Sequence, residues 1–253
     1  MKKKKSLGQH FLIDHSILHD IAAEVNVIKF KNILEIGPGE GALTSLLLES
    51  NPNLFVLEKD DRLPAILQSK FPVLKGKIIH EDALTADWSQ AFDGDGFLLV
   101  GNFPYNISSQ LMFKMLDYKE QVQYMVGMFQ KEVAARICAK PSTKQYGVIT
   151  ILIQLYYKAT YLFDVPAHAF EPPPKVVSGV IRLERNSELD GQFDYELVRR
   201  VVKMAFNQRR KKLSNALGAI SVNWEKLPNE FANKRADHLS VRDYINLSKH
   251  VEF

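Results

Sequence analysis

A single cysteine, Cys138, stands in 253 residues, so no internal disulfide can form and a cysteine-rich zinc site is excluded. It lies in a helical pattern over Gln130–Ala139, where it reads as a small core residue. Long apolar runs are missing too. The longest, near Ile149–Leu155, is interrupted by Thr150 and Gln154 and is far too short to cross a bilayer. Lys2, Lys3, Lys4 and Lys5 open the chain with no apolar segment behind them, which argues against a secretory signal. No internal repeat appears, and no low-complexity stretch beyond that lysine run. These absences predict a cytoplasmic chain with no membrane segment and no metal site.

Acid is scarce in one place only. Between Arg182 and Phe253 there are 14 Lys or Arg against 10 Asp or Glu, so the net charge of +4 arises wholly there. Arg199, Arg200, Lys203, Arg209, Arg210, Lys211 and Lys212 follow one another without an acid between them. Most charge runs are solvated helix faces, but an uncompensated run of this density favours a polyanion partner.

Apolar residues make up 46% of the chain, enough for one large core and a smaller second one. Short aliphatic runs alternate with helical patterns through the first two-thirds, the signature of a mostly parallel sheet with crossover helices. Strands are predicted at Asn32–Ile36, Leu54–Glu58, Lys77–His80, Phe97–Gly101 and Gln123–Phe129. Extended runs near Gln154–Phe163 and Val177–Leu183 bring the sheet to seven strands. Ser187, Asp190 and Gly191 mark a polar linker, after which Val198, Val201, Val202, Ala205 and Phe206 share one helical face. The predicted division is an α/β domain over residues 1–185 and a small basic all-α domain over residues 186–253.

Glu35-Ile36-Gly37-Pro38-Gly39-Glu40-Gly41 follows the first strand and opens a helix. Its glycines allow positive φ and close approach of backbone to ligand. The spacing is Gly-x-Gly-x-Gly, not the Gly-x-Gly-x-x-Gly that cradles a pyrophosphate, and Glu35 would repel one. S-adenosylmethionine carries a sulfonium and an amino group but no phosphate, so an acidic rim suits it. Glu58 ends the second strand and can accept from both ribose hydroxyls, and Asp82, beside Ala83, can accept from the adenine amine. Any one of these acids alone could be a helix cap. Three at successive strand ends point to a Rossmann-like class I methyltransferase fold holding S-adenosylmethionine.

The fourth strand ends in Gly101-Asn102-Phe103-Pro104-Tyr105-Asn106. An adenine amine is a poor nucleophile because its lone pair is delocalised into the ring. Two acceptors on its N–H groups draw the nitrogen towards tetrahedral geometry. The Asn102 side-chain oxygen and the Pro104 carbonyl can supply them, while Tyr105 offers an aromatic face. No general base is required, and the rest is positioning for in-line displacement.

With Ser6-Leu7-Gly8-Gln9-His10-Phe11-Leu12, Phe129–Arg136, the Pro172-Pro173-Pro174-Lys175 run and Phe206–Leu213, these loops resemble the KsgA-type small-subunit ribosomal RNA adenine dimethyltransferases. The resemblance covers nearly the whole chain. It implies dimethylation of N6 on two adjacent adenines in a hairpin loop near the 3′ end of 16S ribosomal RNA, in a small-subunit particle, with a part in subunit biogenesis; nothing in the sequence demands more than a monomer. It further implies that Gln9, His10 and Leu12 close over the cofactor with Gly37, Gly39, Glu58, Asp82 and Asn102, and that Phe170 stacks on the target base opposite Tyr105. Such a base must be unpaired or flipped to reach the cofactor, and the basic segment would grip phosphates without reading sequence. The family commonly has Asn at the position of His10 and Leu at that of Phe103. Three other readings stay open: a large-subunit RNA dimethyltransferase of the macrolide-resistance type, a DNA adenine methyltransferase, and a protein acting chiefly as an assembly factor.

Overall fold

A computed structural model describes residues 10–253; Gln9 and the lysine run lie outside them. Seven strands form the main sheet: β1 (Ile33–Ile36), β2 (Leu54–Leu57), β3 (Ile78–Ile79), β4 (Phe97–Asn102), β5 (Val122–Gln130), β6 (Tyr157–Val165) and β7 (Ser178–Arg185). Their order across the sheet is β3-β2-β1-β4-β5-β7-β6. The pairs from β3 through to β5 are parallel, and β7 runs antiparallel to β5. No residue of β1 is more than 2% exposed. Burial on both faces is why this strand, broken only by Glu35, and likewise β2 and the start of β4, reads as an apolar run rather than an alternating one.

The helix His15–Ile28 buries Leu18, Ile21, Ala22 and Val25, the spacing of one helical face. Asp14 caps it, accepting from the Ser16 and Ile17 N–H groups at 3.0 and 3.3 Å. Just ahead of it, Phe11–Leu12 pairs antiparallel with Phe170–Glu171. From β1 the chain steps outward to β2 and β3, then returns to place β4 on the other side of β1. A crevice therefore opens where β1 and β4 end, the usual ligand position in such sheets.

The chain forms two compact units. The first runs to Ala134 and resumes over Ala159–Arg185; the second joins Ala135–Lys158 to Asn186–Phe253. The second unit thus takes in residues 135–158 as well as those after residue 185. Gln154, predicted to begin an extended run, instead ends the helix Val148–Gln154. Its side chain donates to the Ile137 and Ala139 carbonyls at 2.9 and 3.2 Å. In the same unit the helix Tyr195–Asn207 buries Val198, Val201, Val202 and Ala205. This unit is not wholly helical, since Ser221–Val222 pairs antiparallel with Val251–Glu252. Among the described residues no helix is long and apolar enough to cross a membrane.

Candidate active site

Four strand ends contribute to one cleft. β1 supplies Ile36, Gly37 and Gly39; β2 supplies Leu57, Glu58 and Lys59; Asp82 and Ala83 follow β3; Asn102, Pro104 and Tyr105 follow β4. His10 and Phe11 close it from the N-terminal side. The glycine loop and the Asn-x-Pro-Tyr loop, far apart in the chain, thus face the same space.

Gly37 and Gly39 take φ of 71° and 58°, the left-handed region that side chains avoid. A Cβ at Gly39 would also meet the Phe11 ring at 2.7 Å. Nothing in the sequence marks Phe11 except its adjacency to Gln9, His10 and Leu12.

Glu58 is 7% exposed. Its oxygens accept from the Gly39 N–H at 3.3 Å and the Asp60 N–H at 2.7 Å. Burial pushes its pKa up against those hydrogen bonds. Glu35 is not a rim residue. It is 2% exposed and accepts from the Thr44 hydroxyl at 2.7 Å. Desolvation carries its pKa to about 7, with the nearby Glu58 charge adding to the rise. Leu12, expected over the cofactor, is a core residue at 6% exposure and lines, with Glu35, an adjoining cavity on the far side of Phe11. Among the described residues neither Glu35 nor Glu58 has a cationic partner. A buried Glu58 carboxyl facing the cleft without a cationic partner fits a ligand carrying positive charge and no phosphate, as S-adenosylmethionine does.

Asp82 accepts from the Leu84 N–H at 2.9 Å and from the Lys59 ammonium at 2.6 Å. The Lys59 hydrogen bond is the main reason that its pKa lies below the ordinary value. Lys59, too, carries no signal in the sequence, because its partner is 23 residues away.

The Asn102 amide donates to the His10 carbonyl at 2.9 Å, which orients the group and keeps its Oδ1 as an acceptor. Tyr105 is anchored by its hydroxyl, 2.5 Å from the Ser178 hydroxyl. Its ring stacks on His10, centroids 5.7 Å apart and planes 21° apart. The His10 Nδ1 in turn lies 2.7 Å from the Pro172 carbonyl. An Asn at position 10 could keep a hydrogen bond there but could not stack.

Two expectations change. The Pro104 carbonyl is already occupied, accepting from the Ile107 N–H at 3.1 Å and the Ser108 hydroxyl at 3.3 Å. Phe170 does not line the cleft: it is 2% exposed, in the core beside Leu12, Val165 and Ala169. Pairing of its backbone with Leu12 turns the ring inward. In this structure the aromatic neighbour of Tyr105 is His10.

The basic segment is also not one helix. The helix ends at Asn207, and Arg209 to Lys211 form a turn. Nor is it uncompensated. Arg199 pairs with Glu196 at 2.5 Å, and Arg209 bonds Asp237 at 3.2 Å and the Thr143 carbonyl at 3.1 Å. Arg200 lies 3.6 Å over the Phe253 ring, and Lys212 donates to the Asn233 side chain at 2.9 Å. Lys203, Arg210 and Lys211 remain exposed and make no ion pair among the described residues.

The chain is 47% identical over its full length to ribosomal RNA small subunit methyltransferase A of Phocaeicola vulgatus, covering 90% of that protein. It is 46% identical, over 98% of its length and 96% of the relative, to the protein of the same name from Cytophaga hutchinsonii. The crystal structure of a dimethyladenosine transferase from Plasmodium falciparum superposes with a TM-score of 0.81 at 25% identity, over 96% of this chain and 100% of that one. The 23S rRNA methyltransferase ErmE shares the fold, with a TM-score of 0.72 at 23% identity over 94% and 98% of the two chains. The family model described as ribosomal RNA adenine dimethylase matches residues 1–252. With a seven-stranded methyltransferase sheet and this cleft, the chain belongs to the ribosomal RNA adenine dimethylase family.

Proposed function

We propose that the protein transfers methyl groups from S-adenosylmethionine to N6 of two adjacent adenosines in the 3′-terminal hairpin loop of 16S ribosomal RNA. It acts as a monomer, in the cytoplasm, on a small-subunit particle, and contributes to the biogenesis of that particle. The observation that carries this reading is the single cleft shared by Gly37, Gly39, Glu58 and Asp82 with Asn102, Pro104 and Tyr105.

S-adenosylmethionine supplies an electrophilic methyl group. Glu58, at the end of β2, accepts from the ribose hydroxyls, and Asp82 from the adenine amine. Asn102, its amide oriented by the His10 carbonyl, offers Oδ1 to one N–H of the target amine. The Pro104 carbonyl takes the other in exchange for its 3.3 Å bond to Ser108, the longer of its two. Tyr105 stacks on the flipped base, a contact of about 1–3 kcal/mol. Lys203, Arg210 and Lys211 grip RNA phosphates.

The relatives at 42–47% identity carry the small-subunit name, which favours this substrate over the large-subunit alternative. Purified protein with radiolabelled cofactor is expected to methylate immature small subunits and not large subunits or duplex DNA. Transfer to large subunits would favour the macrolide-resistance reading. Tight binding to small subunits without transfer would favour an assembly factor.

A further inference from the structure

Lys59 is absent from every role described so far, yet it lines the cleft beside Asp82 and Ala83. Its Nζ lies 2.6 Å from Asp82 Oδ2, while Asp82 Oδ1 takes the Leu84 N–H at 2.9 Å. The carboxylate is thus held from two sides, and the pair presents one donor group directly beside one acceptor. The ammonium side chain is 56% exposed and that of Asp82 29%, so both still have capacity for a ligand.

Adenine presents the complementary pair on one edge: N7 accepts and the N6 amine donates. Guanine and hypoxanthine present two acceptors on that edge, so their O6 would face the Asp82 carboxylate. An Asp82 acting alone would read only the amine. We propose that Lys59 is a specificity-determining residue for the cofactor, donating to adenine N7 while Asp82 accepts from N6, so that the ion pair reads two positions of the purine. This rests on the cofactor assignment made above. The Lys59 hydrogen bond is also the largest influence lowering the Asp82 pKa.

Calorimetric binding to the intact protein tests this without turnover, using S-adenosyl-L-homocysteine, its 7-deaza analogue and S-inosyl-L-homocysteine. Wild-type protein should bind the 7-deaza compound about tenfold more weakly than the parent, the scale of one good base-edge hydrogen bond, and the inosyl compound more weakly again. Lys59→Met should bind the parent as weakly as wild type binds the 7-deaza compound and should no longer distinguish the two. Lys59→Arg, which keeps a donor, should retain the preference. Equal wild-type affinity for parent and 7-deaza compound, or a preference that survives in Lys59→Met, would overturn the role of Lys59 alone. No binding of the parent compound to wild type would overturn the cofactor assignment and this inference with it.

Discussion

Asn102 carries two duties. Its Nδ2 holds the N-terminal segment through the His10 carbonyl, and its Oδ1 is the acceptor offered to the target amine. Removing one preorganised hydrogen-bonding group from a reacting centre costs about 10²–10³-fold in rate. Asn102→Ala should therefore lower kcat by about that factor in a methyl-transfer assay while the melting temperature changes little; an unaltered kcat would remove Asn102 from the reaction. Glu35 behaves differently, as a buried acid with pKa of about 7 against an ordinary 4.5. Because the folded state binds its proton more tightly, that stabilisation is whole below pH 4.5 and is lost as pH rises through about 7. The loss is of order ~3 kcal/mol. Glu35→Gln, which keeps a partner for Thr44, should gain on wild type in urea unfolding from pH 5 to pH 8 without cofactor. A gap that stays constant with pH would contradict the assignment.

At the level of elements, what is legible follows from burial that is local in the chain. β2 and the start of β4 stand out because sheets covered on both faces favour apolar runs, and β1 does so with Glu35 as its one polar residue. The helix Tyr195–Asn207 does so through Val198, Val201, Val202 and Ala205. The extended run expected from Gln154 starts too early, since Gln154 ends the buried helix Val148–Gln154 and the strand begins only at Tyr157, and a short buried helix has too few turns to declare its period. The glycine loop and the Asn102–Tyr105 turn are legible because their chemistry is contiguous. Lys59, the burial of Phe170 and the stacking of His10 on Tyr105 are not. Each depends on a partner brought near only by folding: Asp82, Leu12, and the loop after β4. Capping, by contrast, can be checked from sequence outward. Ser240 accepts from the Asp243 N–H at 3.2 Å while Asp243 accepts from the Ser240 N–H at 2.9 Å, a reciprocal cap on the helix Val241–Ser248. Ser240→Ala should cost about 1 kcal/mol of stability in denaturant unfolding, and no measurable loss would deny the cap.

Over the whole molecule, charge that looks uniform along the chain divides by what each cation already holds. Arg209 is committed to Asp237, so its reversal confounds binding with stability. Lys203, Arg210 and Lys211 are exposed and carry no such commitment among the described residues. The double reversal Arg210→Glu, Lys211→Glu should weaken RNA binding and make its logarithmic salt dependence shallower by about 0.7–0.9 for each phosphate no longer neutralised. Affinity for S-adenosyl-L-homocysteine should not change. An unchanged salt slope would place the RNA elsewhere on the surface.

The central claim is that this cleft brings a methyl donor to a pair of adjacent adenosines in small-subunit RNA, and mass spectrometry of that RNA reads it directly. Cells lacking the protein should lose both N6,N6-dimethyladenosines from the 3′-terminal hairpin, wild-type protein should restore them, and Asn102→Ala should not. Retention of both modified residues in the cells without the protein would contradict the account.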